Sequence, residues 1–489
     1  MPLTVLSDAQ VDSLLENLAV DELEDLRKVL ASALHQYSGG SQEVEGDVFQ
    51  EPRQGQTLHP ETGIMTRFSS ACGPDGMASK VVPLSPAKSS SDSVTHNAPT
   101  GTLTLFSPSG SPFALLATPT LTSFRTALSS SCLLYKRSSV KTITVFGAGS
   151  QAYWHIRLAL MLRGPTIRHV NIINHRFSSS AASILKRFTL IPQGVKDREG
   201  WGHAKFSVLT PGFVEFGRLV KENLRDADVI YCCTPGVEDS DENEHGGLFD
   251  PSILTSHEGR KKGRLICAVG GVEGQRRELP DELVKLVTKQ HVGHHRHFHK
   301  HADEGGVIVV DTLSGAMKYA TELVVARIEP THMVELGELA MLHRLKMEEE
   351  AAEAEHSATT SDSQMSSDID SLSLSSHKRT PSVPSMSTIY PSSNTTRSSS
   401  RSPRSSTTDL PRSPTSSSPS RKSNFPKPFR KVSVGGEEKK QKEDHLARWM
   451  RDGTVVYRSV GLGVMDMVVG MEIVKLAREK GIGTEVPDL

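Results

Sequence analysis

The sequence predicts an α/β fold: a doubly wound parallel sheet, accompanied by a second α+β domain built from both chain ends. Three observations lead to the parallel sheet. Five short runs rich in Val and Ile recur through the middle of the 489-residue chain, at 141–146, 169–174, 228–233, 264–269 and 306–311. They are continuous rather than alternating, as expected of strands buried on both faces. Helical or loop patterns separate them, so neighbouring strands run parallel. The first run closes in Gly147-Ala148-Gly149-Ser150-Gln151-Ala152, and a helical pattern follows at once from Tyr153 to Arg163.

Strand, glycine turn and helix in that order meet the needs of a dinucleotide pyrophosphate, which makes this a Rossmann-type unit. Gly147 permits the tight turn, and Gly149 lets backbone N–H groups approach the phosphates. Ala152 lets the helix pack close to the strand, while Ser150 and Gln151 begin the positively polarised helix end. The plainer alternative is a tight turn with a purely structural role.

The second run ends at Asn174, 22 residues past Ala152. An acid at this position would bind the adenosine ribose 2′-hydroxyl and repel a 2′-phosphate. Here the chain reads Asn174-His-Arg176-Phe followed by three serines. A neutral amide, a guanidinium and hydroxyls suit a phosphate dianion, so NADP(H) is favoured over NAD(H). Alternatively, Arg176 simply caps a loop. At the ends of later strands, Thr234, Val269, Gly270 and Gly271 are expected to face cofactor or substrate, because ligands sit beyond the carboxyl ends of such sheets. Ordinary turn chemistry would explain these residues too.

Composition sets the outer bounds. Lys plus Arg total 56 against 57 Asp plus Glu, so nothing global points to nucleic acid. The five cysteines, Cys72, Cys132, Cys232, Cys233 and Cys267, lie mostly in apolar runs without metal-ligand spacing, which fits a reducing compartment. No signal-like segment and no apolar stretch of bilayer length is present, so no membrane partner is expected and the cytoplasm is the default.

Residues 345–446 form a Ser-, Pro- and Arg-rich insertion too poor in apolar side chains to fold, and disorder is expected. Its Arg401-Ser-Pro-Arg404 and Arg412-Ser-Pro414 segments suit proline-directed kinases and phosphoserine readers. Regular patterning returns at Val455. The stretch His291–His301 holds six imidazoles, but it lacks Cys or carboxylate partners at fixed spacing; a solvated loop is expected, not a metal site. The acidic run Glu238–Glu244 reads as an exposed insertion.

The segment from about residue 7 to 37 predicts two amphipathic helices, the first capped by Ser7. The second carries an apolar stripe of Leu26, Val29, Leu30 and Leu34. Strand patterns follow at Met65, at Lys80-Val-Val82 and at Thr102–Phe106, and the last turns through Ser107-Pro-Ser-Gly110 into Phe113–Leu116 as a hairpin. Leu121–Ala127 then enters a helix leading to the glycine turn.

Taken in order, several pieces resemble the ornithine cyclodeaminase / mu-crystallin family, in an elaborated fungal-type form. They are the Arg53 segment, Ala78-Ser-Lys80-Val-Val, the Ser-Gly-Ser-Pro hairpin, Thr122-x-x-Arg125-Thr126 and the Gly147–Ala152 turn. Ala268-Val-Gly-Gly271 with Arg277-Glu-Leu279, Glu335-Leu-Gly-Glu338, Tyr457–Asp466 and Gly481–Glu485 complete the set. The resemblance implies an N-terminal part of a substrate and dimerisation domain at 1–125 and a Rossmann domain at 126–335. A C-terminal segment, 447–489, would return to the first domain, and the protein would be a homodimer.

The resemblance also implies roles. Arg53 and Lys80 would face the substrate carboxylate, with Lys80 moving a proton as well. Arg125 and Thr126 would contact the cofactor, Arg125 against phosphate, and Ser459 and Val460 would close the site near the nicotinamide. One departure matters: ornithine cyclodeaminases carry an Asp directly after Ala-Val-Gly-Gly, and here that position is Val272, with Glu273 beside it. Val can neither accept a proton nor orient an amine, so the expectation leans to an NADP(H)-dependent ketimine reductase acting on imino or amino acids. The alternatives are an NAD-dependent ornithine cyclodeaminase and an NADPH-binding regulatory protein without chemistry.

Overall fold

The glycine turn lies at the centre of an eight-stranded, all-parallel sheet. This computed structural model describes residues 2–40, 54–84, 100–175, 179–237, 247–270, 276–289, 301–339 and 445–487. In chain order the strands of this sheet are β7 (Thr142–Phe146), β8 (His169–Ile173), β9 (Lys205–Leu209), β10 (Val229–Cys232), β11 (Leu265–Ala268), β12 (Ile308–Val310), β13 (Met333–Glu335) and β14 (Val455–Arg458). Their spatial order is β13-β12-β14-β11-β10-β7-β8-β9. From β7 the chain steps outward through β8 to β9, then crosses back to β10 on the other side of β7. The sheet thus has its topological switch point between β7 and β10, where a crevice opens for ligands. All residues of β10, β11, β12 and β14 are buried, as the continuous apolar runs predict.

The second sheet has seven strands, ordered β15-β1-β6-β5-β4-β3-β2. These are β1 (Leu3–Leu6), β2 (Gln54–Leu58), β3 (Met65–Gly73), β4 (Gly76–Leu84), β5 (Thr102–Phe106), β6 (Pro112–Ala117) and β15 (Thr484–Val486). The two chain ends meet here, with β1 antiparallel to β15 and parallel to β6. The expected hairpin is β5 and β6. Helices α1 (Asp8–Glu16), α2 (Val20–Gly40) and α3 (Thr118–Leu134) accompany this sheet, together with the C-terminal helix Gly463–Glu479. That last helix packs on α2, α3 and strands β3 to β5. Ser7 caps α1 through a reciprocal box with Gln10, as its position foretells.

Helix α3 links the two sheets and is buried along nearly its whole length despite its hydroxyls. Five of its hydroxyls find an acceptor one turn back: Ser123 on Pro119, Thr126 on Thr122, Ser129 and Ser130 on Thr126, and Ser131 on Leu128, while Thr120 donates to Asp8. A buried hydroxyl without such a partner costs about 1–3 kcal/mol.

Three expectations change. The segment 447–489 does not return whole to the first domain, because β14 inserts between β11 and β12 before the helix and β15 rejoin the seven-stranded sheet. A fully buried strand needs backbone partners on both sides, and β11 and β12 supply them. Ordered structure also begins earlier than Val455. Residues 445–452 are helical, and Leu446, Trp449 and Met450, spaced on one helical face, are buried. Finally, Val29 is exposed while Leu26, Leu30 and Leu34 are buried. It lies about 100° round the helix from Leu30, off the buried stripe.

Candidate active site

Lys80 is on the buried face of β4 with Ala78, between Ser69 of β3 and Leu103 of β5. Its ammonium donates to Oγ1 of Thr122 at 2.7 Å and to Oδ1 of Asp466 at 3.0 Å. Thr122 and Arg125 are one turn apart on α3, so both face the same space. Arg125 Nε donates to that same Asp466 oxygen at 3.0 Å. Asp466 belongs to the C-terminal helix and is 3 % exposed.

Two cations around one anion leave this buried cluster with a net positive charge. Burial lowers the Lys80 pKa, Asp466 works against that, and Arg125 reinforces it. Burial alone would raise the Asp466 pKa, but Arg125 and Lys80 outweigh it and hold the carboxyl below its usual range. Such a cluster is matched to one further anionic group, because an uncompensated buried charge is costly.

The cluster adjoins the carboxyl edge of the parallel sheet. Gly461 has φ +85°, and a Cβ there would stand 2.9 Å from the Arg125 guanidinium. The turn Ser459–Gly461 is held by Asp311, which directly follows β12 and is fully buried. One oxygen of Asp311 accepts from Ser459 Oγ at 2.8 Å, from the Val460 amide at 2.9 Å and from the Gly461 amide at 2.8 Å. Its other oxygen takes the Tyr457 hydroxyl. The structure therefore brings Lys80, Arg125, Ser459 and Val460 to one place. The Thr126 hydroxyl instead donates to the Thr122 carbonyl at 2.8 Å.

At the glycine turn, the two glycines have different reasons. Gly147 has φ +104°, and a Cβ on it would lie 2.6 Å from the Cys233 carbonyl oxygen at the end of β10. The chain itself requires glycine there. At Gly149 a Cβ would meet nothing within 4 Å, and Gly149 is the N-cap of α4 (Ser150–Arg163) with no side-chain cap. An open, uncapped helix N-terminus of this kind is an anion site, so the residues present fit a dinucleotide phosphate.

Beside it lies a cavity of about 400 Å³ whose walls include Gly149, Ser150, Ser179, Ser180, Ser183 and Arg187. Ser179, Ser180, Ser183 and Arg187 come from α5 (Ser179–Leu190), which follows β8. Arg187 also pairs with Asp12 and Glu16 of α1 and lies 3.6 Å from the centre of the Tyr153 ring. Asn174 stands just past β8, buried, with its amide on the Leu209 carbonyl. A larger cavity of about 550 Å³, beside Asp303, His445 and Asp452, opens at the amino ends of β12 and β14, the far edge from this chemistry.

Strand-end residues Thr234, Val269 and Gly270 also lie at the carboxyl edge. Gly270 admits no side chain, since a Cβ would fall 1.8 Å from the Thr234 carbonyl oxygen. Ala152 is fully buried against the sheet, and Gln151 is half-buried in the first turn of α4. Arg53, Arg176, Gly271, Val272 and Glu273 lie outside the described residues, as do the acidic run 238–244, residues 291–300 of the His-rich stretch and the insertion up to 444. Among the described residues no group of three or more His, Cys, Asp or Glu side chains could hold a metal ion. Nor is any described helix long and apolar enough to cross a membrane.

Sequence reasoning missed Asp466, Thr122, Asp311 and Arg187 as site residues. Asp466 had a signal: an acid inside the apolar run Val464-Met-Asp-Met-Val468 must find a buried cation. Asp311, closing a buried strand, had the same one.

No family model matches the sequence. The Saccharomyces cerevisiae protein YGL159W, described as uncharacterized, is 24 % identical over 245 residues, 45 % of this chain and 58 % of that protein. The match thus spans little more than half of that relative's length. Three solved structures align with essentially the whole fold. The Thermococcus litoralis Δ1-pyrroline-2-carboxylate reductase, in complex with NADH and L-proline, has 15 % identity and a TM-score of 0.55, covering 99 % of this chain and all of its own. An archaeal alanine dehydrogenase dimer with bound NAD has 16 % identity and a TM-score of 0.53, with both chains fully covered. A probable ornithine cyclodeaminase from Bordetella pertussis Tohama I has 15 % identity and a TM-score of 0.53, covering 99 % of each chain. The chain therefore has the fold of ornithine cyclodeaminase-type enzymes, the family that its motifs resemble.

Proposed function

We propose that the protein is an NADP(H)-dependent oxidoreductase that reduces the C=N bond of a small imino acid. The observation that carries this reading is the buried Lys80–Asp466–Arg125 cluster, with its net positive charge, at the carboxyl edge of the sheet. It supplies what an imino acid requires: fixed charge for one carboxylate and a proton donor beside one nitrogen. The nicotinamide supplies the hydride. Lys80 holds the substrate carboxylate together with Arg53 and delivers a proton to the nitrogen as the carbon is reduced. Thr122 and Asp466 fix the ammonium in place during that transfer. Ser459 and Val460, braced by Asp311, close over the ring.

The Gly147–Ala152 turn holds the pyrophosphate. The cavity lined by Ser179, Ser180, Ser183 and Arg187 supports NADP(H), since hydroxyls and a guanidinium are ligands for a 2′-phosphate. Arg187 then exchanges part of its pairing with Asp12 and Glu16 for the phosphate. Asn174 and Arg176 complete that end. A homodimer assembled through the seven-stranded domain belongs to the same reading.

The test is to mix purified protein with NADPH and a cyclic ketimine carboxylate and follow the reduced nicotinamide by absorbance. Substrate-dependent oxidation of NADPH is the expected result. Ammonia and proline from ornithine with catalytic NAD would make it a cyclodeaminase instead. Saturable NADPH binding without either turnover would leave a binding protein.

A further inference from the structure

Glu278 is a fully buried acid that the proposed chemistry does not use. Its neighbour Arg277 exchanges two backbone hydrogen bonds with Val237, each 2.9 Å, in an isolated antiparallel bridge. Glu278 is thereby delivered beneath the carboxyl ends of β10 and β11. Oε1 accepts the Thr234 amide at 3.2 Å, and Oε2 accepts the Gly270 amide at 2.8 Å. Arg458, also fully buried, approaches Oε2 to 3.8 Å. Its Nη1 donates to the carbonyls of Gly270 at 2.7 Å, Ser459 at 2.9 Å and Ala268 at 3.2 Å, and its Nε lies 2.8 Å from Glu322.

We infer that Glu278 is a positioning residue for the nicotinamide end of the proposed site, locking the ends of β10, β11 and β14 into one rigid wall. This rests on the functional reading above. Drawing the Thr234 and Gly270 N–H groups inward fixes the two peptide planes that end β10 and β11. Arg458 extends the hold to Ser459, and Asp311 extends it to Val460 and Gly461. The ring-facing surface is thus set by buried charge rather than by loop packing. Arg458 and Glu322 face Glu278, and the Cys232 and Cys233 thiols are close enough to feel its charge. Burial raises the Glu278 pKa to about 8, with Arg458 opposing and Glu322 adding to the rise.

Glu278→Gln and Glu278→Ala in the full chain test this through melting temperature, NADPH affinity, the emission of bound NADPH and steady-state rates. A misplaced ring costs up to about a hundredfold in hydride transfer, so kcat should fall about 10- to 100-fold, more for Ala than for Gln. The KM for NADPH should stay within about threefold, because phosphate binding is untouched. The emission of bound NADPH should change in the same order. Wild-type emission and kcat in both variants, with only a lower melting temperature, would overturn the positioning role. If the wild-type chain binds no NADPH, the functional reading falls and takes this role with it. Should both variants fail to fold, amide exchange in the wild-type chain decides. Thr234 and Gly270 amides protected like those inside β10 and β11 support the anchoring, and exchange at loop rates contradicts it.

Discussion

Lys80 and Arg125 share one oxygen: Lys80 Nζ and Arg125 Nε each lie 3.0 Å from Oδ1 of Asp466. Strand β4, helix α3 and the C-terminal helix are thereby joined at a single buried carboxylate. Removing its charge leaves two buried cations facing each other. Asp466→Asn should destabilise the protein by about 3–5 kcal/mol, the usual cost of breaking a buried pair, and abolish turnover. Urea unfolding measures the first effect, and an unchanged midpoint would count against a paired, ionised Asp466.

Lys80 should set the basic limb of the pH–rate profile. Burial lowers its folded-state pKa from the ordinary 10.5, so the folded chain releases this proton at a lower pH than the unfolded chain does. The stability contribution of Lys80 is then complete above pH 10.5 and lost as pH falls through the lowered value. The measurable consequence is a kcat/KM that declines on the alkaline side at a pH below 10.5. Lys80→Ala should lose turnover but keep NADPH binding. Full turnover in that variant would remove Lys80 from the mechanism.

The two glycines of the turn should separate stability from binding. Gly147→Ala forces a side chain into positive φ and against the Cys233 carbonyl, and the φ strain alone costs about 1–2 kcal/mol. Gly149→Ala has open space within the chain, so stability should stay within about 0.5 kcal/mol. Its added methyl occupies the phosphate cradle, and nucleotide affinity should drop. Calorimetric melting and NADPH titration on the pair would show whether the losses divide this way; equal nucleotide affinity in Gly149→Ala and wild type would contradict a phosphate there.

Arg187→Ala tests cofactor choice. A guanidinium–phosphate contact is a charge-assisted bond worth about 1.5–3 kcal/mol. NADPH affinity should therefore fall about tenfold or more, while NADH affinity barely moves. Arg176→Ala should act in the same direction. Equal weakening of both cofactors in both variants would contradict a 2′-phosphate at this end of the site.

The parallel sheet and the glycine turn were legible because continuous apolar runs and a Gly-x-Gly spacing are local signals. The hairpin at Ser107–Gly110 and the Ser7 cap were legible for the same reason. The insertion of β14 between β11 and β12 was not, since nothing in Val455–Arg458 names its partners across more than a hundred residues. Of the site, Lys80 and Arg125 were found through motifs, but their common partner was passed over. Asp466 acts only through a contact made 386 residues away from Lys80 in sequence. Asp311 and Glu278 were hidden likewise, because their work is done on backbone amides of other strands. Arg187 gave no signal beyond an ordinary amphipathic helix.

In the proposed reaction, hydride passes from the nicotinamide to the C=N carbon of an imino acid. NADPH carrying deuterium in place of the transferable hydrogen, mixed with a cyclic ketimine carboxylate, reports on this transfer. Mass spectrometry of the product should find one deuterium per molecule, on the former imine carbon, with solvent hydrogen on nitrogen. A reduced product without deuterium at that carbon, or no product while bound NADPH persists, would contradict the account.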